Sequence, residues 1–199
     1  MTGSNNESGG NSSFSRRDFL RSSGAVAAAT TLSAQAEAVA QDEGPEILSG
    51  EQSITLNVNG KDRHVSVEPR ATLLEVLRYQ LDLTGAKPVS LDGSSGASTV
   101  MIDGKPVTAS TTLALTVRGK KIQTIEGLAG DTLPAAFVEH DAQQCGFCTP
   151  GFVMAVRAFL NQHPDASEAQ IRAGLNGNIC RCGTYHQVIQ AAISVAKGG

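Results

Sequence analysis

Four cysteines constrain this chain more than any other feature. They fall as Cys145-x2-Cys148 and Cys180-x-Cys182, all in the last third of 199 residues. The first pair immediately precedes a helical pattern with Pro150 at its start, and the second leads into another that starts near Thr184. Helix N-termini present unpaired N–H groups and partial positive charge, and both favour a thiolate over a thiol. Gly146, Gly177 and Gly183 let the backbone bend tightly around a bound group. On spacing alone, three chemistries stay open. Two disulfides would have to join one loop to the other, because a Cys-x-Cys pair cannot readily close on itself. A four-thiolate zinc site is the second, although Cys-x-Cys is a less usual half of one. A [2Fe–2S] cluster, which needs four thiolates, is the third.

The rest of the chain divides into recognisable stretches. "ITLNVNG" alternates Ile54, Leu56 and Val58 with polar residues; Asn59-Gly60 signals a hairpin and Val65 and Val67 answer it. "ATLLEVLRYQLDLTG" places Leu73, Val76, Leu77 and Leu81 at helical spacing, with Thr72 as a cap and Gly85 as the stop. Short strands are expected at "STVMIDGKPV", turning at Asp103-Gly104, and along "TLALTVRGKKIQTIEGL". Hairpin, helix and further strands make residues 51–127 a small α+β domain.

Beyond residue 128 the pattern is helical. "TLPAAFVEHDA" has Thr132 as its cap, and "TPGFVMAVRAFLNQH" has Thr149 as cap with Pro150 at the first helical position. Ser167-x-x-Gln170 and Thr184-x-x-Gln187 read as capping boxes, the first helix stopping at Asn176-Gly177. Residues 128–199 are therefore expected to form a four-helix domain. The net charge of −3 and the absence of Trp argue against a nucleic-acid partner.

Residues 1–40 read as an export signal. Arg16-Arg17 with Phe19-Leu20 precedes an Ala-rich run and small residues suited to cleavage, the layout of the twin-arginine route. Residues 41–50 read as a linker. The expected location is the periplasm, reached through the twin-arginine export machinery. That route carries folded proteins, which suits a chain loaded with its cofactor beforehand.

"VEHDAQQCGFCTPGFVMAVRAFL" followed by "GNICRCGTYHQVIQAAI" resembles the C-terminal [2Fe–2S] domain of the xanthine dehydrogenase/aldehyde oxidase family of molybdenum hydroxylases. The resemblance is closest to small iron–sulfur subunits of the isoquinoline 1-oxidoreductase type and runs from about residue 53 to 197. It implies a β-grasp, plant-ferredoxin-like domain over 51–127 and a helical [2Fe–2S]-binding domain over 128–199. It makes Cys145, Cys148, Cys180 and Cys182 the ligands of one cluster. The molybdopterin is expected on a large partner subunit, with Gln144 and Cys182 nearest that pterin. Arg181 would offset the cluster's negative charge or serve as an interface arginine. No histidine is required as a ligand.

In such subunits the β-grasp domain carries a second cluster through Cys-x4-Cys-x2-Cys and a later fourth Cys. That spacing falls here on Ser90, Ser95 and Ser98, with Ser110 as the fourth position. A hydroxyl ionises far less readily than a thiol, so this loop is expected to bind no cluster. The chain is then expected to be an electron-transfer subunit with a shortened relay to an acceptor such as a haem protein. Alternatives are a mainly structural subunit that covers the pterin site and aids assembly, or a zinc- or disulfide-stapled binding module without a redox role.

Overall fold

In this computed structural model the described residues are Arg17 and 47–198, with side chains to Ala196. Apart from Arg17, the export signal at 1–40 lies outside them, as does most of the 41–50 linker. The alternation over residues 52–67 produces β1 (Gln52–Val58) and β2 (Lys61–Val67), paired antiparallel. Asn59 and Gly60 both have positive φ, 53° and 74°, as a tight hairpin turn requires. Ile54, Leu56, Val58, Val65 and Val67 are buried on one face, while Lys61, Asp62, Arg63 and His64 are exposed on β2. Charges there protect an edge strand from pairing with other chains.

The sheet is completed by β3 (Thr99–Ile102), β4 (Lys105–Thr108) and β5 (Lys121–Gln123), in the order β2-β1-β5-β3-β4. β5 runs parallel to β1 and antiparallel to β3. The second edge, β4, carries Pro106, which cannot donate to a neighbouring strand. All four residues of β3 are buried because both its faces are covered. Val100 and Ile102 join the core formed with β1 and β2, while Met101 joins a second core made largely by helices.

Helix α1 begins as one α-helical turn, Leu73–Glu75, and widens into a π-helical stretch, Val76–Gln80. Thr72 caps it as expected and makes a reciprocal capping box with Glu75. The helix stops at Gln80, short of Gly85. Gly85 serves close approach instead: its N–H meets Glu126 Oε1 at 2.8 Å, and a Cβ there would collide with Ile125 and Glu126. The expected strand over "TLALTV" is also corrected. Ala114–Val117 is a 3-10 turn. The backbone leading to it is used by α1: Leu74 N–H donates to Ala109 O at 3.0 Å and Leu73 N–H to Thr112 O at 2.7 Å. Those carbonyls satisfy helix-end amides rather than a sheet ladder.

Four further helices follow: α2 (Thr132–Glu139), α3 (Thr149–Gln162), α4 (Glu168–Gly174) and α5 (Tyr185–Gly198). α3 is central and packs against β3, α2, α4 and α5. This explains why Phe152, Val153, Met154 and Val156 are all buried, although they lie on more than one side of the helix. The Ser167–Gln170 capping box is present. Three end residues differ from expectation. Asp131, not Thr132, caps α2, accepting from Leu133 N–H at 2.8 Å. A carboxylate wins this place because it also pairs with Arg157 of α3. Cys148, not Thr149, occupies the N-cap position of α3, so Pro150 follows within its first turn. α4 ends at Gly174 with Leu175 as its C-cap, before Asn176-Gly177, because Asn178 is tied elsewhere.

Candidate metal centre

Both cysteine pairs sit at helix starts, as their spacing predicts. Cys148 is the N-cap residue of α3, and Cys180 and Cys182 lie in the loop before α5. Gly146 and Gly183 turn the two loops with φ of 77° and 82°, values that side-chain-bearing residues rarely adopt. All four cysteines are free; Cys145 and Cys182 are exposed, Cys148 is half-buried and Cys180 is buried.

The sulfurs come together as two pairs. Cys148 faces Cys180, and Cys145 faces Cys182. Among the described residues, no three His, Cys, Asp or Glu side chains gather around one point as a single metal ion would need. Two thiolate pairs suit a core of two metals, each taking one pair.

The electrostatics differ between the sulfurs. Burial pushes the Cys148 thiol up to about 12, helped by its bond to Cys180 and by the neighbouring sulfurs. Burial also opposes ionisation of Cys180, but hydrogen bonds from Thr184, Cys148 and Gly183 outweigh it and bring Cys180 down to about 7. The Thr184 hydroxyl lies 3.3 Å from Cys180 Sγ. For Cys182, the Cys145 backbone favours the thiolate, yet the Cys145 side chain and burial win and raise it. Donors already aimed at a sulfur are what a thiolate-bound cluster needs. The residues present therefore fit a four-thiolate [2Fe–2S] group.

Sequence reasoning missed two of the supporting groups. Tyr185, the first residue of α5, accepts the Cys180 backbone N–H on its hydroxyl at 2.8 Å and stacks edge-on against Phe152, with ring centroids 6.0 Å apart. Thr184 stands where a helix cap was expected, its carbonyl accepting the Val188 N–H at 3.0 Å, and its hydroxyl turns to Cys180. The "CGTY" run was the available signal. Gln144 and Arg181 are both exposed beside the site. Two of the histidines lie elsewhere: His163 packs on Phe159 and His64 bonds to Thr55.

The serine loop is closed by its own hydroxyls. Ser90 Oγ and Ser95 Oγ are 2.7 Å apart, and Ser98 Oγ and Ser110 Oγ are 3.0 Å apart. The Ser95 N–H donates to Ser90 Oγ at 2.9 Å. Ser95, Ser98 and Ser110 are buried. The structure thus brings the four positions picked out by spacing together as two pairs.

Residues 124–193 match the family described as the [2Fe-2S] binding domain, and residues 13–33 match the TAT (twin-arginine translocation) pathway signal sequence. The chain is 37% identical over 209 residues to the aldehyde oxidoreductase iron-sulfur-binding subunit PaoA of Escherichia coli O157:H7, covering 94% of this chain and 89% of that one. It is 39% identical over 148 residues to the nicotinate dehydrogenase small FeS subunit of Eubacterium barkeri, covering 72% and 94%. Among solved structures, quinoline 2-oxidoreductase from Pseudomonas putida 86 superposes with a TM-score of 0.72 at 38% identity, covering 75% of this chain and 96% of the matched one.

Proposed function

The chain belongs to the small [2Fe–2S] subunits of the xanthine dehydrogenase/aldehyde oxidoreductase family, and on that premise we propose that it is the electron-transfer subunit of a molybdenum hydroxylase, with one cluster held by Cys145, Cys148, Cys180 and Cys182. It is an oxidoreductase subunit whose molybdopterin site sits on a large partner. The observation that carries the ligand assignment is the gathering of four thiols into two pairs at helix starts, inside the matched residues. We take residues 51–127 as a β-grasp, ferredoxin-like domain and 128–199 as the helical cluster-binding domain. The sheet order and the two separate cores support that division.

A [2Fe–2S] cluster takes up and passes on one electron at a time. This chain's residues set the conditions. The Thr184 hydroxyl and the Gly183 amide aim at Cys180, stabilising charge on its sulfur. The Tyr185 hydroxyl fixes the Cys180 backbone. Cys145 and Cys182 face outward among the exposed apolar residues Phe147, Ile179 and Tyr185. That surface suits a covering subunit, with Gln144 and Cys182 nearest the pterin and Arg181 at its rim.

At the serine loop, four hydroxyls paired with one another support the reading that Ser90, Ser95, Ser98 and Ser110 are lost ligand positions of a second cluster. The relay then ends at the helical domain, and an acceptor such as a haem protein must dock close to it. The twin-arginine signal indicates export across the membrane, and the periplasm is the destination proposed. Among the described residues no helix is long and apolar enough to span a membrane. The test is iron and acid-labile sulfide per chain with an EPR spectrum of the reduced protein. About two irons and one rhombic signal are expected. About four irons would overturn the single-cluster reading, and zinc without iron would overturn the redox function.

A further inference from the structure

The serine loop and the loop carrying Cys180 and Cys182 are tied together directly. Asn178 is buried, 8% exposed, and its Nδ2 donates to Gly96 O at 2.9 Å. The next residue, Ile179, donates its N–H to Ser95 O at 3.0 Å. Ile179 adjoins Cys180, the most buried of the four cysteines. Gly96 is held at φ 66°, and a Cβ there would fall 2.6 Å from Asn178 Nδ2, so the two loops meet backbone to side chain with no spare room. On the far side, Ser95 is fixed by Ser90, through the N–H at 2.9 Å and the hydroxyl at 2.7 Å. A continuous set of bonds therefore runs from Ser90 through Ser95 to Ile179, the residue beside Cys180.

We propose that Asn178 is a positioning residue for Cys180, and that the serine loop, closed by its paired hydroxyls, is the fixed surface it works against. This rests on the reading of Cys180 as a cluster ligand. The physical reason is that four residues fix Cys180. Tyr185 holds its backbone and Thr184 its sulfur, both from the helix side. Asn178 and Ile179 hold the chain entering it, from the sheet side. Without the sheet-side tie, the 178–180 backbone is anchored at one end only, and the hydrogen bonds that tune the sulfur lose their alignment. A loop that has given up metal binding keeps its course because the neighbouring thiolate depends on it.

The test uses the full chain with the subunit that accompanies it. Asn178→Leu keeps the size and removes the bond, and Gly96→Ala wedges the loops apart. Thr108→Val is the control, since that hydroxyl pairs with Thr111 and takes no part in the tie. Hydrogen exchange of the peptide containing Ile179 is read beside the g-values and midpoint potential of the cluster. Exchange should speed by about tenfold in both variants, the factor one lost buried hydrogen bond carries. The g-values and potential should shift in both, while the control stays native. Loss of iron from Asn178→Leu, with the control still loaded and the far-UV spectrum unchanged, would support the same role. Faster exchange with native g-values and potential would overturn it, as would native exchange in both variants. Iron absent from the unaltered protein would overturn the cluster reading, and the exchange data would still decide whether the tie exists.

Discussion

Gly151→Ala tests how tightly the serine loop is seated on the helical part of the chain. Gly151 is buried in the first turn of α3. A Cβ there would fall within contact of Gly96 O, 3.0 Å from Ala97 Cα and 3.2 Å from the Ala97 carbonyl carbon. Carbon atoms prefer roughly 3.5–4.0 Å, so the deficit is about half an ångström or more against backbone atoms. That backbone is pinned, since Ala97 O accepts from Lys87 N–H at 3.0 Å and Gly96 O from Asn178. Overpacking of this kind costs about 1–3 kcal/mol. Ala gains up to about 1 kcal/mol over Gly in a helix interior, and less in a first turn. The net loss should be about 2 kcal/mol, which lowers the melting temperature by roughly 4–8 °C for a chain of this size. Thermal unfolding followed by circular dichroism measures it. An unchanged or raised melting temperature would show that α3 and the Gly96–Ala97 backbone are not in close contact, and the reasoning would fail.

Asp131→Ala removes the α2 cap and strands Arg157, whose side chain is only 17% exposed, so a loss of about 3 kcal/mol is expected in urea unfolding. Asp131→Asn keeps an acceptor and should lose about half as much; equal losses would mean that the charge carries the whole effect and the neutral cap adds nothing. Hydrogen bonds from the Thr72 backbone and hydroxyl hold the Glu75 carboxyl below its usual range. Its stabilisation is therefore full above the unfolded value of about 4.3 and is lost as pH falls through the lower folded value. Glu75→Gln should accordingly lose less melting temperature than the unaltered protein on acidification from about pH 5 to about pH 3; parallel curves would refute this. Replacing Ser90, Ser95, Ser98 and Ser110 together by Cys should raise iron from about two to about four per chain. An unchanged iron content would show that the loop does not keep a cluster-binding course.

The parts of the molecule written in local pattern were legible in the sequence. The β1–β2 hairpin follows from alternation and Asn59-Gly60, and α4 from its capping box, because nearest neighbours decide those features. The cysteine loops were legible too, since their spacing and the helices after them are local. What escaped was decided by residues far apart in sequence. "TLALTV" has a strand's alternation, but the backbone around it is claimed by the start of α1. Asp131 displaced Thr132 as a cap because Arg157 lies opposite it in space. Asn178 gives no sequence signal at all, since its partner Gly96 belongs to the sheet half of the chain. The serine positions could be found from spacing, but not that their hydroxyls would turn toward one another.

Those two hydroxyl pairs bear on how the protein matures. A loop cross-linked by Ser90–Ser95 and Ser98–Ser110 takes its final shape from protons alone. On the single-cluster reading proposed above, it draws nothing from the cell's supply of iron and sulfide. On that reading, maturation needs one cofactor insertion where a two-cluster subunit needs two. In an iron-starved cell, the subunit would need only half the metal of a two-cluster relative.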